Sequence, residues 1–188
     1  MSKYSQILFL VETNKKSKID NGYILKAIQK FYTPYELTFC KYNNFYEMGT
    51  KTKYNSSDVD KKICSFMKEV KQANKKQPDE NSKFVPVVVF CIDLDKDKVD
   101  PEQTKLNDRI KKFATEKGYE LVLFNRNIEE VFVGEAVPDS EKSDRARRFL
   151  DNDEINNIKE SKLRSSLPSK KSSNLLLILD KYIKQEED

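Results

Sequence analysis

Phe84-Val85-Pro86-Val87-Val88-Val89-Phe90-Cys91-Ile92, followed at once by Asp93-Leu94-Asp95-Lys96-Asp97, decides the fold class. The run is apolar, rich in β-branched residues and far too short to span a membrane. It suits a strand buried on both faces, the habit of parallel sheets. Ile7-Leu8-Phe9-Leu10-Val11 is a second run of this kind and stops at Glu12. The segments between and beyond these two alternate in type. After a polar, Lys-rich loop over 13–19, Asp20 can cap a helix whose apolar positions are Ile24, Ala27, Ile28 and Phe31. Thr33-Pro34 ends that helix, and Glu36 to Tyr42 alternates enough for a strand. Residues 43–56 read as a loop, with Ser57 capping a helix that carries Val59, Ile63, Phe66, Met67 and Val70 as its inner stripe. Beyond the strand at Phe84, Asp100-Pro101-Glu102-Gln103 starts a helix that Gly118 closes, and Tyr119 to Phe124 is a further strand.

The order β-α-β-α-β-α-β predicts an α/β three-layer sandwich with a mainly parallel, Rossmann-like sheet. Residues 1–125 form the core of this reading. Residues 126–188 form a charge-rich helical extension packed on it, with a Ser/Lys linker over Ser165–Ser173 and a last amphipathic helix over Asn174–Gln185. A length of 188 residues suits one domain with an appendage.

Composition narrows the chemistry. The chain has no histidine and no tryptophan. Ser-His-Asp and Cys-His catalysis and histidine-ligated metals are thereby excluded, and acid–base work falls to Asp, Glu, Lys, Tyr or Cys. Hard, oxygen-ligated Mg²⁺ or Mn²⁺ are the metals that suit such residues. Cys40, Cys64 and Cys91 are odd in number and widely spaced, and read as small buried hydrophobes in a reducing, cytoplasmic compartment. No signal peptide is visible ahead of the first strand. A net charge of +4 permits a polyanionic partner without requiring one.

Active sites of open α/β sheets gather outside the carboxyl ends of the strands. Glu12 follows the first strand, and Asp93-x-Asp95 follows the third. In an extended segment, residues two apart point the same way, so Asp93 and Asp95 can converge on one cation, with Glu12 joining them if strands one and three are neighbours. Acidic post-strand loops also arise simply because Asp caps helices and tolerates turns, the duty expected of Asp97 and Asp100. Other α/β sites fit less well. With glycines only at 22, 49, 118 and 134, neither a dinucleotide turn nor a P-loop is present. A phospho-acceptor receiver needs an acid pair after strand one, and a haloacid-dehalogenase-type site puts its Asp-x-Asp there.

Glu12 after the first strand and Asp93-x-Asp95 after the third resemble the signature of the Toprim domain of topoisomerases, primases and OLD-type nucleases. The surrounding residues are similar to its RloB-like branch, small proteins of bacterial restriction and abortive-infection loci. Asp20-Asn21-Gly22-Tyr23 resembles that branch's acid-x-x-Tyr. Asn125-Arg126-Asn127-Ile128-Glu129-Glu130-Val131 resembles its Asn-Pro-x-Phe-Glu-x-Trp, and Lys171-Ser172-Ser173-Asn174 stands where its Asn-Pro-Ser-Thr-like element falls. The chain departs from the pattern at Thr13 for Gly, Arg126 for Pro and Val131 for Trp.

The resemblance implies a Toprim-like sheet and a Mg²⁺- or Mn²⁺-dependent nuclease in defence against phage and foreign DNA. Asp93 and Asp95 would hold the metal, Glu12 would act as general acid/base or further ligand, and Glu129 would support the site. Lys15, Lys16 and Lys18 would contact phosphates of a DNA or RNA substrate. An ATPase encoded nearby is an expected partner, and no membrane is involved. The departures leave room for an inactive subunit that binds nucleic acid or a partner protein, a role the basic tail of Lys159, Lys162, Arg164, Lys170 and Lys171 would suit.

Overall fold

The computed structural model describes residues 4–13, 19–95, 99–138, 140–166 and 171–184. Strands β1 (Tyr4–Val11), β2 (Cys40–Glu47), β3 (Phe84–Asp93) and β4 (Glu120–Phe124) form one four-stranded sheet in the order β2-β1-β3-β4. All three pairings are parallel, with Val11 opposite Cys91 and Asp93 opposite Phe124. The apolar runs have the predicted character because both faces of the sheet are covered. On one face Ile7, Phe9, Val11, Val87, Val89 and Cys91 share a core with helices α1 (Ile19–Phe31), α5 (Ile128–Val133), α6 (Lys142–Asp151) and α8 (Leu175–Ile183). On the other face Leu8, Leu10, Val88 and Phe90 meet α3 (Ser57–Asn74). Helix α4 (Pro101–Lys117) packs beside it through Leu106 and Ile110 against Ile92. The molecule is therefore the three-layer α/β sandwich expected.

Several local expectations are corrected. The second strand is Cys40–Glu47, not Glu36–Tyr42. Thr33 and Glu36 instead make a reciprocal capping box around the short helix α2 (Pro34–Leu37), with the Thr33 N–H donating to Glu36 Oε2 at 2.6 Å. Ser56, one residue before the predicted cap, caps α3. Cys40 and Cys91 are buried as expected, but Cys64 is exposed on the outer side of α3. Asp100 does cap α4, accepting from the Glu102 and Gln103 amides, while Asp97 lies outside the described residues.

The Ser/Lys stretch is more than a surface connector. Ser173 is fully buried and bridges Phe124 in antiparallel fashion. Asn174 then lies along the outer edge of β4. Its Oδ1 accepts the Leu123 N–H at 2.7 Å, and its Nδ2 donates to the Leu121 carbonyl at 3.0 Å. Asn174 thus substitutes for a neighbouring strand and seats α8, whose Leu175, Leu176, Leu179 and Ile183 are fully buried. Farther along, the Tyr32 hydroxyl donates to Asp180 Oδ1 at 2.8 Å, and Arg164 pairs with Asp180 and Glu160.

Candidate metal centre

Strand β1 is followed in the chain by β2 on one side and then by β3 on the other, so the connections diverge at the carboxyl ends of β1 and β3. That is the crevice where open α/β sheets place their ligands. Glu12 is the first residue after β1, and Asp93 ends β3. The Asp93 N–H donates to Glu12 Oε1 at 2.7 Å. The Asp93 carboxylate turns toward β4, where its Oδ1 accepts the Ile128 N–H at 3.0 Å, at the start of α5.

Two further acids lie within reach of the charge on Asp93. Asp20 sits inside the first turn of α1, not ahead of it, and its Oδ2 accepts the Thr13 N–H at 3.1 Å. Glu129, 5% exposed, projects from α5 with Lys142 Nζ 3.8 Å away. Burial, reinforced by mutual repulsion, raises the proton affinity of Glu12, Asp20 and Asp93. Glu12 moves from 4.5 to about 7, chiefly through desolvation. Asp20 moves from 3.8 to about 7 through desolvation and then the charge of Glu129. Asp93 is pushed well above the usual carboxylate range by desolvation and then by Glu12, Asp20, Glu129 and Asp95. Such clustering of raised acids in one crevice is the pattern of a functional site.

Beside the acids stands Tyr23, fully buried among Phe132 and Phe149, with a hydroxyl that has no hydrogen-bond partner among the described residues. Burial raises its proton affinity, and the charges of Glu129 and Asp20 add to the effect.

Asp95 reaches the site by a different route from the one expected. The strand ends at Asp93, and Asp95 has φ of 49°, so the two carboxylates do not share the alternation of an extended chain. Its N–H donates to the Arg126 carbonyl at 2.6 Å, and Arg126 itself has φ of 65°. Two non-glycine residues in the left-handed region face each other across the β3 and β4 exits, a strain found most often at functional sites. Asp95 Oδ2 accepts from Lys51 Nζ at 2.6 Å, and the same ammonium donates to the Asp93 carbonyl at 2.6 Å. Lys51 is 3% exposed.

The structure thus gathers Glu12, Asp93, Asp95 and Glu129 in one crevice, and adds Asp20, Tyr23 and Lys51. Asp20 and Tyr23 were visible as the ends of the acid-x-x-Tyr stretch, with Asp20 read also as a cap. Lys51 had no signal in the sequence, because nothing in Lys51-Thr52-Lys53 separates it from other exposed-looking lysines. Lys15, Lys16 and Lys18 lie outside the described residues. In the basic tail Arg164 is engaged by Glu160 and Asp180, and Lys171 by the Gly134 carbonyl. These two do not form a free basic surface.

The donors are oxygens in anionic excess, which fits a hard divalent cation in type. Among the described residues, no three acidic or thiol side chains already converge on one point. Closing a coordination set therefore requires side chains to move, Asp95 away from Lys51 first. Also among the described residues, no helix is long and apolar enough to cross a membrane. The fold and crevice define a parallel α/β protein with a carboxylate centre at its switch point. Comparison of the chain with protein-family models, with curated proteins and with solved structures gave no match.

Proposed function

We propose that the protein is a Mg²⁺- or Mn²⁺-dependent phosphoryl-transfer enzyme, most specifically a nuclease. The observation that supports this reading is the clustering of Glu12, Asp20, Asp93 and Glu129 about the β1/β3 exit, where burial and mutual repulsion make it costly to ionise Glu12, Asp20 and Asp93 unless a cation relieves them. Asp93 and Asp95, with Glu12, would hold the metal. When bound, it would supply Lewis-acid polarisation of a phosphoryl oxygen. The chain's own residues do the rest. If it is not itself a ligand, Glu12, whose Oε1 accepts the Asp93 amide, would accept or return a proton at the reacting oxygen. Asp93 is held in orientation by the Ile128 amide. Glu129 and its Lys142 partner wall the crevice on the α5 side. The resemblance to RloB-like Toprim proteins extends the reading to nucleic-acid substrates and to defence against phage and foreign DNA, alongside an ATPase partner.

A second reading is an inactive subunit that binds nucleic acid or a partner protein. The ion pair of Lys51 with Asp95 favours it, because that pair ties up a proposed ligand. One experiment separates the two. Supercoiled plasmid, single-stranded DNA and single-stranded RNA are incubated with the protein in Mn²⁺ or in EDTA, in parallel with Asp93→Asn. Cleavage that needs Mn²⁺ and disappears in Asp93→Asn supports the enzyme. Intact substrates throughout, or equal cleavage by the variant, defeat it.

A further inference from the structure

Arg126 stands second past the end of β4, with φ of 65°. A residue with a Cβ is rarely held there, and such strain persists only where the surroundings impose it. Here they impose it from both sides. The Asp95 N–H donates to the Arg126 carbonyl at 2.6 Å, and the Asn125 N–H donates to the Ser172 carbonyl at 3.0 Å. Three of the four non-glycine residues with positive φ among the described residues, Asp95, Arg126 and Lys171, fall in these hydrogen-bonded segments. An exposed arginine is common in itself. One aimed by a strained backbone at the mouth of an acidic crevice is not.

The side chain that this turn presents is 65% exposed. Among the described residues its guanidinium meets only Glu130 Oε2, at 3.6 Å, beyond hydrogen-bond reach. The other cations of the crevice are taken up by its acids, Lys51 by Asp95 and Lys142 by Glu129. Carboxyl groups otherwise wall the crevice, and when ionised they repel a polyanion. We infer that Arg126 is the phosphodiester contact at the crevice mouth, taking a backbone phosphate of the nucleic acid in its guanidinium fork. The inference rests on the nucleic-acid reading above and concerns binding alone. Because the carbonyl of the same residue anchors Asp95, the phosphate is seated in fixed register with the acids.

The test is fluorescence anisotropy in EDTA with labelled single-stranded DNA and, separately, RNA of the same sequence, at several salt concentrations. The full chain is compared with Arg126→Gly and Arg126→Lys. Glycine adopts φ of 65° freely and keeps the carbonyl for Asp95, so Arg126→Gly removes the guanidinium alone. On whichever strand the parent binds, Arg126→Gly should bind roughly 3- to 10-fold more weakly at low salt. Its slope of log K against log salt should be shallower by about 0.7, the single-strand value for one phosphate contact. Arg126→Lys should restore the slope, which a merely structural role would not require. Unchanged affinity and slope in Arg126→Gly overturn the contact and leave the nucleic-acid reading standing. Absence of binding by the parent in EDTA also overturns it, and the cleavage assay then decides the nuclease reading by itself. Should Arg126→Gly fail to fold, the ¹⁵Nε resonance of Arg126 in the parent decides. It should shift on titration with the oligonucleotide, and a resonance unmoved at saturation rules the contact out.

Discussion

Replacing Asn174 with alanine isolates what joins the C-terminal helix to the sheet. The amide of Asn174 satisfies two backbone groups on the outer edge of β4, the Leu123 N–H at 2.7 Å and the Leu121 carbonyl at 3.0 Å. Alanine leaves both without the amide. A buried backbone group left unsatisfied costs about 1–3 kcal/mol. Leu121 and Leu123 are only half-buried, so water can reach part of that edge and the lower end applies to each. The expected loss is therefore about 2–4 kcal/mol. For a chain of this size that corresponds to a fall in Tm of roughly 5–15 °C. Urea unfolding followed by circular dichroism gives the free energy, and its slope shows whether α8 still docks in the variant. A lower midpoint at unchanged slope is the expected pattern. A loss below about 0.5 kcal/mol would refute the argument that the amide stands in for a missing strand.

Three further predictions follow from the acid crevice and its walls. In EDTA the protein should be less stable at pH 8 than at pH 5.5. Glu12 and Asp20 titrate near 7 when folded and at 4.5 and 3.8 as free side chains, so the folded state binds more protons across that window and loses stability as pH rises through it. Thermal melts should show the slope, Glu12→Gln should flatten it, and an upward trend toward pH 8 would contradict it. Asp93→Asn, which keeps the Oδ1 acceptor for the Ile128 amide and removes a carboxyl whose ionisation burial and its neighbours oppose, should melt at or above the parent temperature in EDTA at pH 8; unfolding of the variant would show that the carboxyl is structural. Gly22→Ala brings a Cβ to 2.7 Å from Leu150 Cδ1, the flexible end of a side chain on α6. It should cost no more than about 1–2 kcal/mol, whereas Gly22→Val should cost clearly more by the same melt.

The parts of this fold that could be read from the sequence are those in which burial is continuous. Strands β1 and β3, with apolar runs that face both layers, and helices α3 and α4, with single stripes and good caps, stood out. Strand β2 did not, because an edge strand of mixed Asn, Tyr and Phe carries neither a continuous run nor a clean alternation. The Thr33–Glu36 capping box was present in the sequence and argued for a helix in the place where a strand was drawn. In the crevice, Glu12 and Asp93 were found through the strand-end rule, which is topological. Asp95 was placed by an alternation that stops at Asp93. Lys51 owes its importance to a partner 44 positions away, and Ser173 to one across the sheet edge. Neither pairing leaves a local trace.

The covered edge of β4 also governs how copies of this protein can meet. Ser173 and Asn174 occupy the hydrogen-bonding positions along that edge, so among the described strands β2 alone offers an outer edge. A sheet open on both sides can be extended without limit, and exposed edges are a common origin of aggregation. A sheet open on one side cannot. Two copies pairing β2 against β2 would consume both available edges and stop at a closed two-fold dimer, with no edge left to recruit a third.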